Sequence, residues 1–171
     1  MKFTALEIPG VYLISLDLHK DNRGFFARSF CQREFCRHGL CTEFVQCDLS
    51  YNEKKGTLRG MHYQKYPYEE VKIVSCIQGA IYDVVLDIRK DSLTYGQWRA
   101  VKLTEKNHDM LYIPKGIAHG FQTLSDRSMI YYQMGQFYTP DAGCGIRFDD
   151  ERFSIKWPIE DKIISGQDAM W

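Results

Sequence analysis

The sequence has no surplus of either charge, no long apolar run, no C-x-x-C pair and no H-x-H pair. Its 22 Lys and Arg balance 22 Asp and Glu, for a formal net charge of zero. That removes the broad basic footprint by which nucleic-acid binders hold a phosphate backbone. It leaves room for a small basic pocket that takes one phosphorylated molecule. No apolar stretch approaches the roughly 20 residues that cross a bilayer. Met1-Lys2-Phe3-Thr4 lacks the apolar region of a secretion signal. The expected location is therefore cytoplasmic, with no membrane and no nucleic-acid partner. The six cysteines, Cys31, Cys36, Cys41, Cys47, Cys76 and Cys144, do not form the spacing of a zinc ribbon or a thioredoxin-like centre. They read as free thiols rather than disulfides. With no repeat, linker or low-complexity segment, 171 residues suit one domain, residues 1–171.

What is present is strand signal. Residues 11–16 and 44–50 read as strands. Residues 71–77 end at Gln78-Gly79 and residues 80–89 follow at once, so the two are expected to pair as a hairpin. In the second of these, Tyr82, Val84, Leu86 and Ile88 make an apolar face. Ile81, Asp83, Val85, Asp87 and Arg89 make a mixed one, which predicts either a lined cavity or a solvent face. Further strands are expected at 98–103, 110–113, 120–124 and 128–138. One helix is expected at 32–38, ended by Gly39, and a short turn at 149–153. Many short strands at regular spacing predict an all-β fold, a small antiparallel barrel or jelly roll that holds a ligand in its mouth.

Two segments concentrate the chemistry: Leu58-Arg59-Gly60-Met61-His62-Tyr63-Gln64 and Ile113-Pro114-Lys115-Gly116-Ile117-Ala118-His119-Gly120-Phe121. Each sets one histidine, the side chain suited to moving protons near neutral pH, beside glycines that permit a close backbone approach. His62 alone reads as a structural histidine, satisfied by a backbone partner. Arg59 three residues before it, and His119 in a similar setting, favour a base with charged partners. Barrels of the cupin kind often bind a metal through an H-x-H pair, a later Glu and a final His. Here His62-Tyr63-Gln64 lacks the second histidine, leaving His62 and His119 with Glu69 or Glu70. That spacing does not suit a metal, and none is expected. Lys72, between Val71 and Ile73, points either to water or into the barrel, where it becomes a cation that stabilises an oxyanion. Arg23, in Asp21-Asn22-Arg23-Gly24, is either an ordinary turn arginine or a grip for phosphate oxygens. Residues 128–138 carry Tyr131, Tyr132 and Tyr138. One phenol is a candidate acid, and spacing does not say which.

These segments resemble one family, the dTDP-4-dehydrorhamnose 3,5-epimerases, metal-free members of the cupin superfamily. The resemblance covers almost the whole chain. It rests on Asp21-Asn22-Arg23-Gly24-Phe25-Phe26, Phe44-Val45-Gln46, the two histidine segments, Asp83-Val84-Val85-Leu86-Asp87-Ile88-Arg89 and Trp157-Pro158. It implies a cupin-like antiparallel jelly-roll barrel with one or two short peripheral helices, a homodimer and no cofactor. It implies a nucleotide-diphosphate sugar bearing a 4-keto group as substrate. A base takes a hydrogen from a carbon flanking the ketone, and reprotonation from the opposite face inverts it, as from dTDP-4-dehydro-6-deoxyglucose to dTDP-4-dehydro-L-rhamnose.

By position, His62 is similar to the family's base, Asp168 to its orienting carboxylate, Tyr132 to the acid on the other face and Lys72 to the group that steadies the enolate oxygen. Arg23, Gln46, Arg59 and His119 match positions that hold the sugar nucleotide. The chain departs from the family pattern at Arg28, Asp48, Gly143 and Gln167, which bears on the choice of sugar and nucleotide. It stops at Trp171, so Asp168 is expected on a terminus that frays. The alternatives are a mono-epimerase or ketoisomerase on a related nucleotide sugar, a metal-dependent cupin enzyme, or a silent sugar-binding module.

Overall fold

Strands with one apolar parity bury it only against a second layer. The computed structural model describes residues 1–171 and has two such layers. In chain order the elements are β1 (Lys2–Ala5), β2 (Tyr12–Ser15), β3 (His19–Asp21), β4 (Gly24–Phe26), α1 (Gln32–Arg37), β5 (Gln46–Asn52), β6 (Leu58–Gln64), β7 (Lys72–Gln78), β8 (Ala80–Asp87), β9 (Trp98–Thr104), β10 (Met110–Ile113), β11 (Ile117–Thr123), β12 (Ser128–Met134), β13 (Gly143–Gly145) and α2 (Gly166–Met170). A 3-10 turn occupies Pro140–Ala142. One antiparallel sheet runs β1-β2-β10-β7-β12-β5 and the other β13-β6-β11-β8-β9, while β3 and β4 form a separate hairpin. This is a jelly-roll barrel with two short helices. Neither helix is long and apolar enough to cross a membrane.

The main core lies between the sheets. Val74, Leu111, Ile113 and Ile130 from one pack against Ile81, Val85, Leu103, Ile117 and Phe121 from the other. The outer face of the first sheet is covered by α1, whose Phe35 meets Ile14, Ile73, Met110 and Tyr112. The outer face of the second is covered by the C-terminal segment, where Ile155, Phe153 and Trp157 sit on Met61, Val84 and Leu86. This settles the two faces of β8. The apolar parity looks outward beneath the C-terminal segment. The mixed parity looks into the barrel and carries the fully buried Asp83.

The expected hairpin of residues 71–77 and 80–89 does not form. β7 and β8 are in different sheets, and Gly79 carries the chain across between them. Both strands present apolar residues to the interior, and facing each other buries those residues where edge-to-edge pairing would not. Gly79 has φ +77°, and a Cβ there would stand 2.6 Å from Ser128 Oγ, so only glycine fits. The strand expected at 128–138 ends at Met134. The terminus does not fray: α2 starts on Ser165, whose Oγ accepts from the Asp168 N–H at 3.1 Å, and Trp171 lies over Gly145.

One irregularity in β6 positions the chemistry. His62 is paired with His119, but Arg59 is paired with Phe121, so three steps on β6 match two on β11. The extra residue is a bulge. In a regular strand, residues three apart face opposite ways. The bulge turns Arg59 and His62 to the same cavity. Gly60 makes it sterically feasible: its φ is +118° and a Cβ there would lie 2.5 Å from Gly120 Cα.

Candidate active site

Two adjoining cavities open between the sheets. The larger, about 560 Å3, is bordered by Gln46, Gln64, Glu70 and Tyr138. The smaller, about 260 Å3, is bordered by Arg59, His119 and Tyr132. His62, Lys72, Asp48 and Met134 border both, so they stand where the two meet. Inward parity explains the set. On β5 it is Gln46, Asp48 and Ser50; on β12 it is Ile130, Tyr132 and Met134; on β7 it starts with Lys72.

His62 Nε2 is 2.6 Å from Asp168 Oδ1. The Gly60 N–H donates to the other oxygen of the same carboxylate at 3.3 Å. Burial alone would push the Asp168 carboxyl up. The His62 contact and the Gly60 N–H outweigh it, and the net direction is down, so Asp168 stays ionised. An ionised Asp168 keeps the proton on Nε2 and leaves Nδ1 with a free lone pair. The dyad thus fixes one tautomer of a half-exposed imidazole at the cavity junction.

A second dyad lies deeper. His119 Nε2 is 2.7 Å from Asp83 Oδ1, with both side chains buried. The His119 ring meets Tyr132 edge-on, with centroids 6.2 Å apart. Burial, then the Asp83 charge, push the Tyr132 phenol far up, with Arg59 opposing. The phenol is therefore fully protonated near neutral pH. Arg59 itself is aimed by Asn52, whose Oδ1 accepts from Nε at 2.8 Å.

Of the residues expected at the site, His62, Lys72, Tyr132, Gln46, Arg59 and His119 border the cavities, and Asp168 stands directly behind His62. Arg23 does not join them. It lies on the β3–β4 hairpin with its side chain 85% exposed, paired with Asp21 on its own turn. Of the departures, Asp48, Gly143 and Gln167 border the larger cavity, whereas Arg28 is outside it and pairs with Glu34. Gln64, where a metal-binding barrel would carry its second histidine, is a clamp instead. Its amide donates to Tyr68 O and Phe137 O and accepts from the Thr139 N–H, which holds the loop bearing Tyr138. No group of three His, Cys, Asp or Glu side chains converges as metal ligands.

Three participants had no clear role in the sequence. Asp83 stood only in the mixed parity of its strand and at the start of one segment of the family resemblance, with no role assigned. Asn52 carried no signal. Glu70, weighed only as a metal ligand, pairs with Lys72 at 2.7 Å.

The family model described as dTDP-4-dehydrorhamnose 3,5-epimerase matches residues 5–171. The Shigella flexneri protein of that name is 41% identical, over 98% of this chain and 93% of its own. The structure of the Bacillus anthracis dTDP-4-dehydrorhamnose 3,5-epimerase, with TDP and PPi bound, superposes with a TM-score of 0.95. It is 38% identical and covers 98% of this chain and 95% of its own. A Legionella pneumophila dTDP-6-deoxy-D-glucose-3,5-epimerase, in complex with dTDP-4-keto-L-rhamnose, gives 0.93 at 36% identity, covering 99% and 90%.

Proposed function

The chain belongs to the dTDP-4-dehydrorhamnose 3,5-epimerase family, and from that premise we propose that it inverts both carbons flanking the ketone of dTDP-4-dehydro-6-deoxyglucose. The observation that carries this reading is the His62–Asp168 dyad at the junction of two cavities that Lys72 also borders, with Tyr132 in one of them.

The ketone acidifies the hydrogens on either side of it. Nδ1 of His62 takes one, the electron pair moves onto the carbonyl oxygen, and an enolate forms. Asp168 stabilises the resulting imidazolium. An N–H of Lys72 donates to the enolate oxygen, where negative charge develops. The Tyr132 hydroxyl gives its proton to the opposite face of the carbon, which inverts it. Arg59 lowers the cost of charge on the phenolate left behind. Solvent then reprotonates Tyr132 and removes the proton from His62. Repeating the cycle at the second carbon gives the L-rhamno product. Arg59, Gln46 and His119 suit the diphosphate and sugar by their place on the cavity walls.

Incubation of dTDP-4-dehydro-6-deoxyglucose with the protein in heavy water tests the reading by mass spectrometry. Two deuterons are expected, at C3 and C5. No uptake defeats the proposal, and uptake at one carbon alone identifies a mono-epimerase.

Arg23 supports a homodimer. It is far too exposed to hold a diphosphate within its own chain, and Phe25 and Phe26 beside it are 49% and 75% exposed. We infer a homodimer in which this hairpin reaches the partner's cavity. Mixing denatured Arg23→Ala and His62→Asn chains and refolding them together is then expected to restore about a quarter of the wild-type sites, because each mixed dimer owns one intact site. Activity no greater than that of the separate variants excludes this arrangement. The six thiols are all free, which suits a reducing, cytoplasmic setting.

A further inference from the structure

Glu70 is the one carboxylate in contact with the Lys72 ammonium. Its Oε1 lies 2.7 Å from Nζ, and both side chains are more than nine-tenths buried. It precedes β7 by two residues and borders the larger cavity together with His62 and Lys72. Its second oxygen, Oε2, is buried with no hydrogen-bond partner. Fold stability does not account for such a group. Burying two charges is expensive, and a carboxylate oxygen left bare adds to the cost. A buried polar atom left unpaired in a native fold calls for an explanation beyond packing.

The other charged and titratable groups bordering the smaller cavity with Lys72 are Asp48 from β5, Arg59 and His62 from β6, His119 from β11 and Tyr132 from β12. No carboxylate among them or behind them lies within 4 Å of Nζ. Packing restrains the buried Lys72 stem, and Glu70 is the ion-pair partner at its far end. A lysine side chain has four rotatable bonds, so without that partner the terminal ammonium is free to shift within the cavity it borders.

We propose that Glu70 is a positioning residue that holds the Lys72 ammonium toward the reacting ketone. This rests on the reading of Lys72 as the enolate donor and deepens it. Because the Glu70–Lys72 pair is neutral overall, stabilisation of the enolate comes from an aimed N–H donor, whose worth depends on geometry.

A double-mutant cycle tests this with the full-length protein, using dTDP-4-dehydro-6-deoxyglucose in heavy water. Glu70→Gln, which keeps the shape, is expected to lower kcat about tenfold with KM changed less than about twofold. In the Lys72→Met background the same change is expected to alter the rate less than about twofold, because Glu70 acts only through Lys72. Equal losses in both backgrounds, or an undiminished kcat, overturn the proposal. Deuterium accumulates over hours, so slow variants remain measurable. As a second readout, the 15N signal of the Lys72 ammonium is expected in the wild type and absent in Glu70→Gln; an unchanged signal also overturns it. If the wild type takes up no deuterium, the proposed function fails, while the 15N signal still tests whether Glu70 holds Lys72.

Discussion

Replacing His62 with Asn is expected to lower deuterium uptake at both carbons by about 100- to 10,000-fold, the range that a positioned general base contributes. Asn is the informative choice. It removes the imidazole while staying polar, and the buried Asp168 carboxylate keeps the Gly60 N–H as a donor, which ties the C-terminal helix to β6. Binding of dTDP, measured by calorimetry, is expected to stay within about threefold of wild type, because the nucleotide and diphosphate contacts lie elsewhere. Uptake at the wild-type rate would remove His62 as the base. Loss of dTDP binding in parallel would make His62 a binding residue instead.

Replacing Tyr132 with Phe is expected to separate exchange from inversion. The phenol owes its raised pKa to burial and neighbouring charge and not to a hydrogen bond within the chain. Its removal therefore strands no partner, and the unfolding temperature is expected to move by less than about 2 °C. Without Oη no proton reaches the far face of the carbon. His62 still removes a hydrogen and returns a deuteron to the face it came from. Epimerised product is expected to fall about 100-fold or more, while deuterium wash-in with retained configuration continues. The two are read from one sample, by chromatography for the epimer and mass spectrometry for the label. Equal loss of exchange and inversion would mean that Tyr132 is not a separate acid.

Much of the barrel is legible along the chain. Period-two alternation identifies β8, strand-forming runs mark β5 and β12, and Gly39 marks the end of α1. Where the alternation failed as a guide, the cause was a choice between partners that local sequence does not encode. Residues 71–77 and 80–89 have every feature of a hairpin, yet each buries more by facing the other across the barrel than by pairing along an edge. The same holds for α2. Five residues with little helical pattern form a helix because Ser165 caps it and Asp168 ties it to β6.

The candidate site divides along the same line. The types of residue needed for proton abstraction beside a ketone, a base, an acid and a cation, are written in His62, Tyr132 and Lys72, and the family resemblance adds Asp168. Their convergence is not written there. Asp168 lies 106 residues from His62 and meets it at 2.6 Å. Asp83 lies 36 residues from His119 and is its only carboxylate partner. Arg59 and His62 share a cavity only through a one-residue bulge that no spacing rule predicts. Sequence determined which chemistry this protein has the groups for, because residue identity alone fixes what can donate, accept or carry charge. Tertiary structure decided which of those groups act together within one chain and which, like Arg23, lie outside its cavity, because distance and burial depend on how strands far apart in the chain come to lie across one barrel.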